Sequence, residues 1–151
     1  MNSQVKKMWV DALKSGDYKQ GVGYLHSIHE NEHAYCCLGV LCELAIENGV
    51  ELEVKHDSVV AKWSDGPGLF IYDGEIGILP ESVRQWADLD ECNPMIYIEH
   101  FCKTEEEVDR VYNDLAQDPE IQEDDLCFII SEFNDKGYSF QQIADIIDKS
   151  L

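Results

Sequence analysis

The run Tyr35-Cys36-Cys37-Leu38-Gly39-Val40-Leu41-Cys42-Glu43-Leu44-Ala45 constrains this chain most, because its apolar residues leave no face for solvent. A helix that is hydrophobic all round has to be surrounded by protein. A central helix is therefore expected from about Tyr35 to Asn48, with Gly49 as its C′ residue. Gly39 lies inside it, where glycine costs about 1 kcal/mol relative to alanine, and a close packing contact is the expected compensation. Three of the six cysteines fall in the run. A chain of 151 residues needs no disulfide framework to build a core, so the thiols are read as reduced packing groups.

Around that helix the periodicity predicts a mainly helical α+β fold in one domain, residues 1–151, with a small antiparallel β-hairpin or sheet and a C-terminal helix hairpin. Val5, Met8, Trp9, Ala12 and Leu13 form one stripe of a helix over Ser3 to Ser15, with Ser3 as its N-cap. Gln20-Gly21-Val22-Gly23 is too rich in glycine for a helix and reads as a loop or irregular strand able to approach another segment closely. Glu30 to Ala34 reads as a loop. Leu69 to Tyr72 and Glu75 to Ile78 flank Asp73-Gly74, the pattern of a hairpin on a type I′ turn, with a third strand expected near Ser58 to Trp63. Pro80 opens a helix to about Asp88, and Thr104 with Glu107 forms a capping box for the next. Two helices are expected at the end, Glu123 to Phe133 and Phe140 to Lys149, the second capped by Ser139 and Gln142.

The net charge is −20, and it is unevenly spread. Lys6, Lys7, Lys14 and Lys19 against Asp11 and Asp17 leave residues 1–25 at +2, so the rest of the chain holds −22. Between Glu99 and Asp125 eleven carboxylates face only Lys103 and Arg110. Such a field repels a nucleic-acid backbone and attracts basic protein surfaces, including those that hold nucleic acid. Glu105, Glu106, Asp109, Asp118, Glu120, Glu123 and Asp124 are the expected partner-binding acidic face, and a solvated surface that only keeps the protein soluble is the alternative. Without an apolar stretch of about 18 residues or a secretory leader pattern, the expectation is a soluble cytoplasmic protein that engages no membrane.

The residues that carry chemistry are sparse. Cys36 and Cys37 sit where a helix N-terminus favours a thiolate, and a cysteine enzyme would also need a base such as His26, His29 or His33 and a donor such as Gln20. The chain order Gln, His, Cys does not fit a papain-like set unless His56 or His100 is the base, so no catalytic residue is assigned and the thiols are read as core. On a continuous helix His26, His29, His33 and Cys36 would share one face as zinc ligands do. The loop character of Glu30 to Ala34 argues against it, so neither metal nor cofactor is expected. Gly137-x-Ser139 with Ile143-Ala144 is similar to the opening of a helix-turn-helix, but Lys149 is the only cation nearby and direct DNA readout is not expected.

Taken in order, Trp9-Val10-x-Ala12-Leu13-x-Ser15-Gly16, Tyr18-x-Gln20-Gly21, the Tyr35-Cys36-Cys37-Leu38-Gly39-Val40-Leu41-Cys42 motif, Leu79-Pro80-Glu81-Ser82-Val83, and Asn134-Asp135-x-Gly137-x-Ser139-Phe140 with Ile143-Ala144 resemble a family of small, mostly uncharacterised tailed-bacteriophage proteins. The resemblance covers most of the chain except about 90–125, which reads as an acidic insertion. It implies a shared polar set, Gln20, Tyr35, Cys36, Asn134 and Asp135, lining a common ligand-binding pocket. The resulting expectation is an acidic binding protein of the host cytoplasm, a host-takeover or anti-defence factor. It would block a host protein with a basic surface, even by DNA mimicry, or capture a small nucleotide signal. A cysteine-dependent enzyme on a small amide, ester or nucleotide-derived substrate, and a structural or adaptor protein of the phage, are the alternatives.

Overall fold

Asn2, rather than Ser3, caps the first helix: its side-chain oxygen accepts from the N–H groups of Gln4 and Val5. Helix α1 spans Ser3–Ser15 and ends at Gly16, whose φ of 82° is a left-handed stop. In the computed structural model, which describes residues 1–57, 67–116 and 126–151, α1 buries Val5, Trp9, Val10 and Leu13. Two strands follow, β1 (His26–His29) and β2 (Glu32–Tyr35), paired antiparallel with His26 opposite Tyr35 and Ile28 opposite His33. The expected loop at Glu30 to Ala34 is therefore a hairpin. Its turn, Glu30 and Asn31, has φ of 50° and 66°; glutamate seldom adopts that region, so the sequence carries no turn signal there.

The central helix, α2, spans Cys37–Glu47 and starts two residues later than expected, because Tyr35 ends β2 and Cys36 is the N-cap. Cys37 to Cys42 are all buried. The close contact expected at Gly39 exists: a Cβ there would lie 1.7 Å from the carbonyl oxygen of Leu25. That same carbonyl accepts the Cys36 N–H, so the chain leading into β1 is pressed against the first turn of α2. The indole N–H of Trp9 donates to the Cys37 carbonyl at 2.8 Å, joining α1 to the same turn.

Strands β3 (Val54–Asp57) and β4 (Gly68–Tyr72) complete a four-stranded sheet of order β2-β1-β4-β3, with every pair antiparallel. Asp73 and Gly74 take φ of 49° and 92°, the type I′ turn that the Asp-Gly pair predicts. The second strand of that hairpin does not form. After one Tyr72–Glu75 bridge the chain bends away, and Ile76 and Ile78 stay exposed, lacking a second layer to cover them. The place of the missing strand beside β4 is taken by β3 and β1. The strand expected near Ser58 to Trp63 lies outside the described residues.

Helix α3 (Glu81–Ala87) has Pro80 at its N-cap and buries Val83 and Ala87. Strand β5 (Met95–Tyr97) leads through a 3₁₀ turn (Ile98–His100) to α4 (Glu105–Leu115). Thr104 caps α4 through the Glu107 N–H, and the Glu107 carboxylate reaches back to accept from the N–H of Lys103 at 2.7 Å. The expected helix Glu123 to Phe133 is overturned. Cys127–Ile129 is a strand, β6, pairing with β5, and only Ile130–Asp135 is helical, α5; residues 123–125 lie outside the described residues. The i, i+3, i+4, i+7 set Leu126, Ile129, Ile130 and Phe133 misleads because it straddles two elements: Leu126 and Ile129 are half-buried before and on the strand, and Ile130 and Phe133 are buried from the helix. Helix α6 (Phe140–Ser150) carries the full Ser139/Gln142 capping box. The fold is α+β. Ile96, Ile98, Val111 and Leu115 join the same hydrophobic core as α1, α2 and α6, so these parts of the acidic stretch are packed into the body of the fold.

Candidate functional site

The residues expected to line a pocket separate into two groups. In the first, Asn134 is fully buried at the end of α5. Its Oδ1 accepts from the Gln20 side-chain amide at 3.2 Å and from the Cys37 N–H at 3.3 Å. Its Nδ2 donates to the Gly21 carbonyl at 2.8 Å and to Asp135 at 3.2 Å. Gln20 also donates to the Tyr138 carbonyl and accepts from the Phe140 N–H, while Asp135 accepts from the Gly23 N–H. The glycine-rich segment thus approaches protein: the Gly21 N–H donates to the Tyr35 carbonyl at 2.7 Å. Gln20, Asn134 and Asp135 spend their polar atoms tying the Lys19–Gly23 segment, α2 and the α5–α6 turn together, an arrangement that rewards complete satisfaction.

Cys36 and Cys37 join that assembly as packing atoms. Burial pushes the Cys36 thiol up to about 11 and outweighs the N–H groups of Gly39 and Leu38, which favour the thiolate. Cys37, fully buried, is raised well above the ordinary thiol range by the same cause, and its sulfur faces the Ile130 carbonyl. The charge effect of the helix N-terminus is present, but desolvation wins.

The second group lies on one face of the sheet, where strand alternation brings together His26 of β1, His33 and Tyr35 of β2, His56 of β3, and Phe70 and Tyr72 of β4. The His26 ring is stacked between Tyr35, with centroids 4.0 Å apart, and Phe70, at 3.9 Å. Its Nδ1 lies 2.7 Å from the Tyr72 hydroxyl, and its Nε2 lies 2.7 Å from His33 Nδ1. Tyr72 in turn donates to Glu43 of α2 at 2.5 Å. Burial, then the neighbouring His33 and His56, lowers His26 to about 4, so its ring is neutral at physiological pH. Tyr72 is fully buried and raised well above the usual phenol range by desolvation and by the Glu43 carboxylate. Tyr35 is raised to about 12 by burial and carries Tyr18 edge-on at 5.4 Å.

Sequence reasoning named His26, His29, His33 and Cys36 as possible zinc ligands on a helix. They lie instead on a hairpin and at a helix cap. His26 and His33 are bonded to each other, His29 is exposed on a strand position of opposite parity to His26, and the Cys36 thiol is buried. Glu43 and Tyr72 were missed. A signal existed, since Glu43 is the one carboxylate inside the apolar run and so needed a buried donor.

The acidic residues Glu105, Glu106 and Asp109 of α4 are exposed, and among the described residues none has an ion-pair partner. Asp118, Glu120, Glu123 and Asp124 lie outside the described residues. A cleft of about 460 Å³ opens beside α4, between Arg110 and Asp114 on that helix and Lys136 and Tyr138 at the α5–α6 turn. Among the described residues no helix is long and apolar enough to cross a membrane.

A family model described as a domain of unknown function (DUF8296) matches residues 1–151. Neither a curated protein nor a solved structure matches the chain.

Proposed function

Because the chain belongs to the DUF8296 family over residues 1–151, a domain of unknown function, we propose a function from charge and geometry: the protein acts by binding, presenting the acidic face of α4 to a basic surface of another protein. The observation that carries this reading is the set of exposed carboxylates Glu105, Glu106 and Asp109, without an ion-pair partner among the described residues, in a stretch where eleven carboxylates accompany two cations. A surface of that sign accelerates encounter with a basic partner and fixes its orientation. The resemblance to tailed-bacteriophage proteins makes a host protein of the cytoplasm the proposed partner, of the kind whose basic surface grips nucleic acid. Capture of a nucleotide signal by Gln20, Tyr35 and Asn134 has less support, since Gln20 and Asn134 are already bonded within the protein. The cysteine-enzyme alternative has less still, because Cys36 and Cys37 are buried and held as thiols.

The test is capture of partners from host lysate by the wild-type chain and by Glu105→Lys/Glu106→Lys/Asp109→Lys, at low and at high salt. A partner held by the wild type at low salt, weakened by salt and lost with the triple variant, is the expected result. A partner retained equally by the triple variant would sink the reading.

A further inference from the structure

The second buried group does not close on itself. Its hydrogen bonds have a direction that follows from what each atom can give. An ionised Glu43 only accepts, so the Tyr72 hydroxyl donates its single proton to it. The Tyr72 oxygen then accepts from His26, which places the one ring proton of neutral His26 on Nδ1. His26 Nε2 is left as an acceptor, so His33 donates from Nδ1. His33 is exposed, and its Nε2 carries a lone pair. Its ring makes no other hydrogen bond among the described residues. An outer imidazole fixed in one tautomer by an inner chain that ends on a carboxylate is the arrangement that makes a ring nitrogen a good nucleophile or base.

We propose that His33 is a nucleophilic imidazole whose Nε2 takes the acyl group of an activated carbonyl compound, an ester or thioester, with His26, Tyr72 and Glu43 as positioning residues that receive its Nδ1 proton. The Nε2–C bond forms as the C–O or C–S bond breaks, and the leaving group departs as its anion. The His33 Nδ1 proton moves to His26 Nε2, the His26 Nδ1 proton to the Tyr72 oxygen and the Tyr72 proton to Glu43, so the acylated ring is neutral. Water then adds at the acyl carbon and the Nε2–C bond breaks. The acid leaves as a carboxylate, both protons of that water go to solvent, and the proton on Glu43 returns through the chain to Nδ1. The Phe70 ring, 5.5 Å from the His33 ring, is stacked on His26 at 3.9 Å and on His56 at 4.8 Å, so its half-buried edge is the apolar surface left beside the nucleophile for the acyl group. This reading is independent of the acidic face, which lies on another element.

The molecule carries its own controls, since His29, His56 and His100 are also exposed. Diethyl pyrocarbonate, an activated carbonyl, applied to the folded full-length protein with site-by-site mass spectrometry should acylate His33 about tenfold faster than His29 or His100, a modest share of the roughly 10²–10⁴-fold usual for positioned proton transfer. Tyr72→Phe, which removes one oxygen, and Glu43→Gln, at a partly exposed position, should each bring His33 back to the rate of His29. Hydrolysis of p-nitrophenyl acetate should fall in His33→Gln and Tyr72→Phe and hold in His29→Gln. Equal labelling of His33 and His29, or an unchanged His33 rate in both relay variants, overturns the proposal. If either variant is unfolded by circular dichroism, nitrogen-15 NMR of the wild type decides: a His33 protonated on Nδ1 supports the relay, and one protonated on Nε2 ends it.

Discussion

Two buried polar networks among the described residues both rest on α2, and they end differently. The one around Asn134 is closed: each donor and acceptor of the Gln20 and Asn134 side chains meets another part of the chain, and the one atom it shares with α2 is the Cys37 N–H. The one around His26 is open, with Glu43 of α2 at its inner end and exposed His33 at its outer end. A closed network fixes geometry and has no valence left for a ligand. An open one carries the same internal order out to a reactive atom at the surface. The difference is one of direction in the hydrogen bonds, not of polarity or burial, since Asn134 and His26 are both buried.

The largest effect comes from a change that strikes both networks at once. Gly39→Ala places a Cβ 1.7 Å from the Leu25 carbonyl, a backbone atom that cannot yield without moving β1 from α2. A loss of about 4 kcal/mol or more is expected in urea unfolding, beyond the usual overpacking range because backbone must shift. Asn134→Ala breaks the closed network alone. It strips the partner from the Gly21 carbonyl, the Cys37 N–H and the Gln20 amide, for an expected loss of about 3 kcal/mol. His33 should keep its reactivity in that variant; a parallel loss would show that the two networks are one.

The smallest effect sharpens the open network by pH. His26 falls from an ordinary value of 6.5 to about 4 on folding, so between these values the unfolded chain binds a proton that the folded one refuses. Its contribution is therefore fully present above pH 6.5, declines as pH falls toward 4 and is flat below. The decline amounts to about 3 kcal/mol. His33 and Tyr35 of β2, His56 of β3, Tyr72 of β4 and Glu43 of α2 are the titratable groups that face it. His26→Gln should flatten that part of the stability–pH curve; an unchanged slope would assign it to other groups.

The legibility of each region follows from how local its cause is. The helices α1, α2, α3, α4 and α6 were readable because amphipathic spacing, Pro80, Thr104 and the Ser139/Gln142 box act within one or two turns. The β1–β2 hairpin was not, because Glu30 and Asn31 hold positive φ without a glycine between them. The stretch before Phe133 was misread, because the helical spacing of Leu126, Ile129, Ile130 and Phe133 runs across a strand-to-helix junction, and the strand is fixed by pairing with Met95–Tyr97, thirty or more residues earlier. Gln20 and Asn134 were expected to line a pocket with Tyr35; that they bond to each other and spend their polar atoms within the protein was not legible, since no sequence shows which polar groups pair.

By itself, then, the sequence determined the central apolar helix, the need for a close neighbour at Gly39, the class of the fold and the sign of its surface. These follow from periodicity, volume and charge, which are properties of short stretches or of simple sums. Tertiary structure alone decided that the Leu25 carbonyl is that neighbour, that Asn134 is sealed, and that Glu43, Tyr72, His26 and His33 fall into line. Hydrogen bonding is directional and short in range, so which polar groups pair depends on register and strand order across distant segments.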